Sequence, residues 1–250
     1  MSTRSRHHGQ SPRIAVIVLL AALLGATVIS AAATDLGGIT VGQLTAYSAE
    51  VFIEPPPPPV IILAGDDFAG CTNTLDGWTD SVGNAWTDHG GRWQCLGNDV
   101  VRSQQRLPLA HASLDIARSD DIVISTVFSD ISNQNGRSGG GLSLFTDGFF
   151  HMYAIYERDA DRVTLGKSSP WANTALLSAP VADRDEGEMS VVIDRPTLTV
   201  LFDGVVVLTY DLNHLTQAEQ DYFLSRTRFG LESDNDNQTR FESFRIETLP

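Results

Sequence analysis

Basic side chains are scarce in this sequence of 250 residues, in which 31 acidic residues outnumber 17 basic ones and Lys167 is the only lysine. The resulting net charge of −14 disfavours contact with phosphate backbones and with anionic lipid headgroups. The composition therefore excludes nucleic acid as an expected partner. An acidic, well-solvated surface is typical of a protein that stays soluble outside the cell.

Several common catalytic motifs are absent as well. The sequence contains no G-x-S-x-G nucleophile elbow and no H-E-x-x-H zinc motif. Its histidines are scattered and show no paired spacing, which argues against a zinc site. The six histidines are His7, His8, His89, His111, His151 and His214.

The amino terminus has the features of an export signal. Residues 1–13 are polar and basic, residues 14–29 are apolar and uncharged, and Ala31-Ala32-Ala33 offers a small-residue cleavage site. Residues 1–33 are therefore predicted to be a signal peptide or a membrane anchor, since about 20 apolar residues can also span a bilayer as a helix. We expect an extracellular or cell-surface protein that meets the membrane only through this segment.

Residues 34–59 are predicted to be a linker that ends in a proline run. Residues 34–54 are small and polar and resemble the segment that follows the signal in substrates of SipW-type signal peptidases. Residues 55–59 are all proline, which favours a stiff polyproline II rod about 15 Å long. The domain boundary is therefore placed here, with the folded domain at residues 60–250.

From residue 60 onward, short runs rich in Val, Ile, Thr and Phe alternate with clusters of Gly, Asn and Asp, as in an all-β sandwich. The alternating residues of the run 121–129 place Ile122, Ile124, Thr126 and Phe128 on one face. The dipeptide Asp203-Gly204 lies between two β-rich runs and predicts a tight hairpin.

One short helix interrupts this pattern. Thr216 and Glu219 form a T-x-x-E capping box, which predicts a helix start immediately after Thr216. The expected architecture is an antiparallel two-sheet β-sandwich with this single helix.

Cys71 and Cys95 are the only cysteines, and an even count in an exported chain favours one disulfide between them. Two unpaired, buried thiols are the alternative. The bonded form would close a loop of about 24 residues and stabilise the fold by about 3 kcal/mol.

Several segments, taken in their order along the chain, resemble those of a known protein family. The segments are Asp66-Asp67-Phe68, GNAWTDHGGRWQC at 83–95, GGGLSLF at 139–145, HMYAIYER at 151–158, LTVLFDGVVV at 198–207, RFGLES at 228–233 and FESFRIE at 241–247. In this order they resemble the concanavalin A-like, laminin-G-like jelly rolls of secreted bacterial and phage proteins. The resemblance implies a jelly roll in which the first strand, near Phe68, lies beside the last, with Phe244.

Members of this family either hydrolyse glycans or only bind them. The glucanases carry an E-x-D-x-x-E pattern on one strand, which aims the carboxyl groups at a single groove. The nearest match begins at Glu157 and Asp159, but Arg162 occupies the place of the third acid. The chain is therefore predicted to be non-catalytic.

Three functional hypotheses follow from the resemblance. The first is a binding module that recognises a glycan or cell-wall polymer. The second is a structural or adhesive surface protein that associates with its own copies, and the third is a glycoside hydrolase with an atypical site.

The candidate ligand-binding residues are aromatic or lie on an aromatic strand. Trp171 lies in a loop rich in Ser, Pro and Asn, where its ring either stacks on a sugar or packs against the core edge. Tyr153 and Tyr156 point to opposite faces of their strand, so one of them can line a groove, and His151 heads the same strand.

Calcium is the one predicted ion, and no other cofactor is expected. The candidate ligands are Asp66 and Asp67 at the start of the domain and Asp234 and Asp236 before the last strand. Carboxylates on loops are the hard oxygen donors that calcium prefers, and a solvated acidic turn is the alternative.

Overall fold

The computed structural model describes residues 57–97, 100–105, 109–118, 120–131, 139–169, 171–234 and 238–250. The predicted signal or anchor at residues 1–33 lies outside these ranges, as does the linker except for residues 57–59. Within the described ranges, no helix has the length and hydrophobicity that a membrane span requires.

The described chain is built almost entirely of strands. The first eight are β1 (Ile62–Asp66), β2 (Thr87–Asp88), β3 (Trp93–Cys95), β4 (Val101–Ser103), β5 (Ala110–Asp115), β6 (Ile122–Ser129), β7 (Gly139–Leu144) and β8 (His151–Glu157). The elements that follow are β9 (Arg162–Ser169), β10 (Ala172–Pro180), β11 (Gly187–Asp194), β12 (Thr197–Phe202), β13 (Val205–Asp211), helix α1 (Gln217–Phe223), β14 (Arg228–Asp234) and β15 (Arg240–Thr248).

The strands form two antiparallel sheets, which confirms the predicted all-β sandwich. The eight-stranded sheet has the order β13-β12-β11-β6-β15-β4-β3, and β1 pairs with β15 beside this path. The seven-stranded sheet has the order β10-β9-β8-β7-β14-β5-β2. The pairing of β1 with β15 brings the first and last strands side by side, as the family resemblance predicted.

The core lies between the sheets and follows the period-two pattern of the sequence. Strand β6 alternates buried and half-buried residues along its whole length, with Ile122, Ile124 and Phe128 fully buried. Each such side chain contributes on the order of 2 kcal/mol through burial. The predicted inward residues of the last strand, Phe244 and Ile246, are also buried.

Both local signals of the sequence are confirmed. Asp203 and Gly204 connect β12 to β13 with φ values of 50° and 75°, the left-handed conformation that a type I′ turn demands at both positions. The Thr216 side chain accepts from the Glu219 backbone N–H while the Glu219 carboxylate accepts from the Thr216 N–H, so α1 begins with a complete capping box.

The central strands of the seven-stranded sheet are buried on both faces, unlike β6. Every residue of β7 and β8 is buried, and six of the seven residues of β14 are. Met152, Ala154 and Tyr156 belong to the core between the sheets, whereas Tyr153 and Ile155 form a separate cluster with Leu109. The outer face of these central strands is therefore covered, and polar residues on it lie out of bulk water.

Cys71 and Cys95 form the predicted disulfide, with their Cα atoms 5.4 Å apart. Both cysteines belong to the main core cluster, which also contains Trp86 and Trp93. The bond ties the irregular segment after β1 to β3, a strand of only three residues.

Loss of this disulfide should destabilise the domain. We expect the double variant Cys71→Ala, Cys95→Ala to lose about 2–4 kcal/mol of unfolding free energy, because the unfolded chain regains the freedom of the closed loop. Urea unfolding monitored by tryptophan fluorescence measures the change. A reducing agent should lower the wild-type midpoint and leave the double variant unaffected; equal stability of the two proteins would contradict the prediction.

Candidate functional site

A polar cleft opens on the outer face of the seven-stranded sheet. It has a volume of about 530 Å³. Strands β5, β8, β9 and β10 supply part of its wall, and the loops after β2, β7 and β9 and the residue before β5 supply the rest. Its lining residues are His89, Gly90, Leu109, Ala110, His111, Gly148, Phe149, His151, Ser168, Ser169, Trp171, Ala172 and Asn173.

A histidine and a glutamate meet beneath this cleft. His151, the first residue of β8, places Nε2 3.3 Å from Oε1 of Glu232 on β14. Glu232 is completely buried and His151 is 2% exposed. Among the described residues, no hydrogen-bond partner reaches Oε2 of Glu232 or Nδ1 of His151. The pair therefore contains two buried polar atoms that make no hydrogen bond within the described part of the chain.

Two further histidines extend this pair. The ring of His111 lies 4.3 Å from that of His151, centroid to centroid, and the ring of His89 stacks on His111 at 4.9 Å. Hydroxyl groups hold both of these rings: His111 Nε2 lies 3.1 Å from Thr146 Oγ1, and His89 Nε2 lies 2.8 Å from Ser113 Oγ. Three histidines thus form a continuous row at the cleft floor.

Burial governs the protonation of His89, His111 and Glu232. It lowers the pKa of His111 to about 2, with the positive charges of His151 and His89 acting in the same direction. Burial also lowers the pKa of His89, helped by the nearby charge of Arg228. The pKa of Glu232 is raised by burial, and its contact with His151 opposes that rise. His89 and His111 therefore present neutral imidazoles to the cleft at neutral pH.

Trp171 stands at the mouth of the cleft and is 88% exposed. It directly precedes β10, and the structure rules out the alternative in which its ring packs against the core edge. A second, more apolar cleft adjoins the first through Ser168, Ser169 and Ala172. Phe150 and residues of α1 line that second cleft, so the two together form an extended groove past the base of Trp171.

The two candidate tyrosines separate as their spacing predicted. Tyr153 lies on the outer face with His151, and its ring covers Gly166 of the neighbouring strand so closely that a Cβ there would overlap it. Tyr156 faces the core, packs on Phe202 and is fully buried. The candidate role of Tyr156 in ligand binding is therefore wrong, because its ring points away from the cleft.

The two calcium candidates at the start of the domain accept hydrogen bonds from within the fold. Asp66 is buried, and its Oδ2 accepts hydrogen bonds from the indole N–H groups of Trp78 and Trp86 at 3.0 and 2.8 Å. Its Oδ1 accepts from the backbone N–H of Phe68, so its oxygens are committed to the fold. Asp67 is exposed, and its Oδ1 accepts a hydrogen bond from the backbone N–H of Ala69.

The second pair of candidate calcium ligands is only partly described. Asp234 is buried at the end of β14, where its Oδ1 lies 3.4 Å from the backbone N–H of Leu109. Asp236 lies outside the described residues. The carboxylate that does lie close to other metal-ligating side chains is Glu232, which motif searching did not single out.

The sequence held one signal for this cluster that spacing rules overlook. His111 and Glu232 are polar residues within apolar strands, and the register of β5 against β14 pairs them directly. A buried polar residue in an apolar strand is informative because burial of a polar group is costly without partners. To predict that His151 lies beside these two residues, one also needs the order of the strands in the sheet. The sequence alone does not give that order.

Comparisons with known proteins support the fold. No protein-family model matches the sequence, and no curated protein matches it. Among solved structures, β-agarase A from Zobellia galactanivorans has a TM-score of 0.56 at 10% identity, with 79% of this chain and 97% of that chain covered. An endo-1,3-β-glucanase from Streptomyces sioyaensis has a TM-score of 0.51 at 10% identity, covering 78% and 99%.

A third structure, the GH43 protein BlXynB from Bacillus licheniformis, has a TM-score of 0.54 at 13% identity and covers 74% of this chain but 39% of its own. At these identities the likeness concerns the fold alone. It is consistent with the concanavalin A-like jelly roll that the ordered segments predicted.

The buried histidines should make stability depend on pH. Unfolded His111 takes up a proton below about pH 6.5, whereas the folded side chain stays neutral because its pKa is depressed. The free energy of unfolding should therefore fall with decreasing pH. Between about pH 7.5 and about pH 5, the wild type should lose about 2 kcal/mol more than His111→Gln.

Urea unfolding of both proteins at the two pH values measures this difference. His214→Gln, which replaces an exposed histidine, should retain the pH dependence of the wild type. Identical pH dependence in the wild type and His111→Gln would show that His111 does not remain neutral in the fold.

Proposed function

We propose that the domain binds a glycan chain in the groove that passes Trp171. The observation that carries this proposal is the indole ring, 88% exposed at the mouth of a cleft floored by polar side chains. Keeping so large an apolar surface in water is unfavourable, and stacking on the apolar face of a pyranose ring would remove it from water.

The rest of the groove supplies what a sugar ring needs besides stacking. Asn173, Ser169 and the histidines offer hydrogen-bond donors and acceptors to hydroxyl groups. The adjoining cleft adds the rings of Phe150 and Tyr222, which contact each other edge to face at 5.6 Å. A groove with polar and aromatic portions suits a chain of several sugar units better than a compact ligand.

The proposed role is binding without hydrolysis. A glycosidase of the common kind needs two carboxyl groups on either side of the scissile bond. Among the described residues, none that lines the polar cleft is Asp or Glu. The fold neighbours are named as an agarase and an endo-1,3-β-glucanase, which supports a glycan as the ligand class.

We further propose that the domain works outside the cell, secreted or held at the cell surface. The basic, apolar and small-residue segments of residues 1–33 support export. The bond between Cys71 and Cys95 supports it as well, since disulfides persist in oxidising compartments.

A glycan array tests the binding proposal. We expect the wild type to bind a defined class of oligosaccharide and Trp171→Ala to bind it at least about tenfold more weakly, since loss of one stacking ring costs on the order of 1.5 kcal/mol. Val206→Ala is the matched control: Val206 is 57% exposed on β13, in the other sheet, and its loss should leave binding unchanged.

Three outcomes would contradict this function. Equal binding by Trp171→Ala and the wild type would place the ligand elsewhere. Release of sugar products by the wild type, abolished in Glu232→Gln, would make the protein a hydrolase. Absence of glycan binding together with assembly into filaments would favour the structural or adhesive role.

A further inference from the structure

The cluster beneath the cleft contains more metal-ligating atoms than glycan binding uses. His111, His151 and Glu232 each offer one ligand atom, and the three atoms lie within 4.8 Å of one another. All three residues are buried. Oε2 of Glu232 is a buried oxygen without a partner among the described residues, and such an atom is costly unless something satisfies it.

We propose that His111, His151 and Glu232 bind a first-row transition metal ion, with zinc as the expected occupant. Ligand atoms around a tetrahedral zinc ion are about 3.4 Å apart, as bond lengths of about 2.0–2.2 Å require. The observed pair of His151 Nε2 and Glu232 Oε1, at 3.3 Å, already has this separation. An inward shift of at most about 1.4 Å would bring the third ligand to the same spacing.

The donor set selects the class of metal. Two imidazole nitrogens and one carboxylate suit zinc, copper, iron or nickel, whereas calcium takes six to eight oxygen ligands. A doubly charged ion would also stabilise the Glu232 carboxylate, which is otherwise buried with a single histidine contact.

His111 is oriented as a metal-ligating histidine usually is. Its Nδ1 lies 3.5 Å from the carbonyl oxygen of Leu109, an arrangement that favours a proton on Nδ1 and a lone pair on Nε2. That lone pair now faces the hydroxyl of Thr146 at 3.1 Å, which can rotate away when a metal replaces it.

Three protein ligands leave a tetrahedral ion with one open position. His111 and His151 line the cleft, whereas Glu232 does not. The open position would therefore face the cleft, where water or a hydroxyl group of a bound ligand can occupy it.

Zinc binding is measured by equilibrium dialysis of the metal-stripped full chain, without an added histidine tag and without sugar, so the result is independent of glycan binding. We expect one zinc ion per wild-type chain. His111→Gln, His151→Gln and Glu232→Gln should each weaken its affinity by about 100-fold or more. His214→Gln, an exposed histidine, should bind as the wild type does, and His7 and His8 remain in every variant.

Cobalt provides a second measurement that needs no variant. Addition of Co²⁺ to the wild type should produce the strong visible absorption of a four-coordinate ion, and one equivalent of Zn²⁺ should abolish it, whereas excess Ca²⁺ should not. Weak cobalt absorption typical of six-coordination, or zinc affinity unchanged in all three cluster variants, would overturn the proposal. Circular dichroism confirms that each variant is folded before its affinity is interpreted.

Discussion

The covering of the outer face of the central strands in the seven-stranded sheet is the constraint on which the site depends. In an antiparallel sandwich one face of each sheet commonly meets water, as the alternating burial of β6 illustrates. Here every residue of β7 and β8 is buried, and Leu109 packs on Tyr153 and Ile155. Strand positions that would otherwise face solvent are therefore shielded from water. Histidine and glutamate at such positions acquire their shifted pKa values from this burial.

The features of the fold that could be predicted from the sequence are mostly local ones. The hairpin at Asp203-Gly204, the capping box at Thr216 and the alternation of the core strands depend on residues close together in the chain. Strand closure by β1 and β15 is a long-range pairing, and it was predicted only through the family resemblance. Local sequence patterns thus predicted the individual strands, turn and helix. The pairing of distant strands could be predicted only from the order of segments over the whole domain.

The site was harder to predict because its residues come from distant parts of the chain. His89, His111, His151 and Glu232 meet only after three strands and one loop have taken their places. Spacing rules find ligands that share one helix or one loop, and they gave calcium candidates at Asp66 and Asp67 instead. Asp66 instead accepts hydrogen bonds from two tryptophan indoles. Two adjacent carboxylates in a sequence do not indicate this structural role.

The two proposed activities place opposite demands on the same face. Stacking at Trp171 needs an exposed ring that meets the ligand from solvent, whereas a His-His-Glu site needs a dry, rigid floor. The structure separates these demands by depth, since the ring stands at the mouth and the cluster lies under the sheet surface. Without a bound cation, burial favours the protonated form of Glu232. A bound cation would instead keep the carboxylate ionised, because its charge offsets the desolvation that otherwise drives protonation.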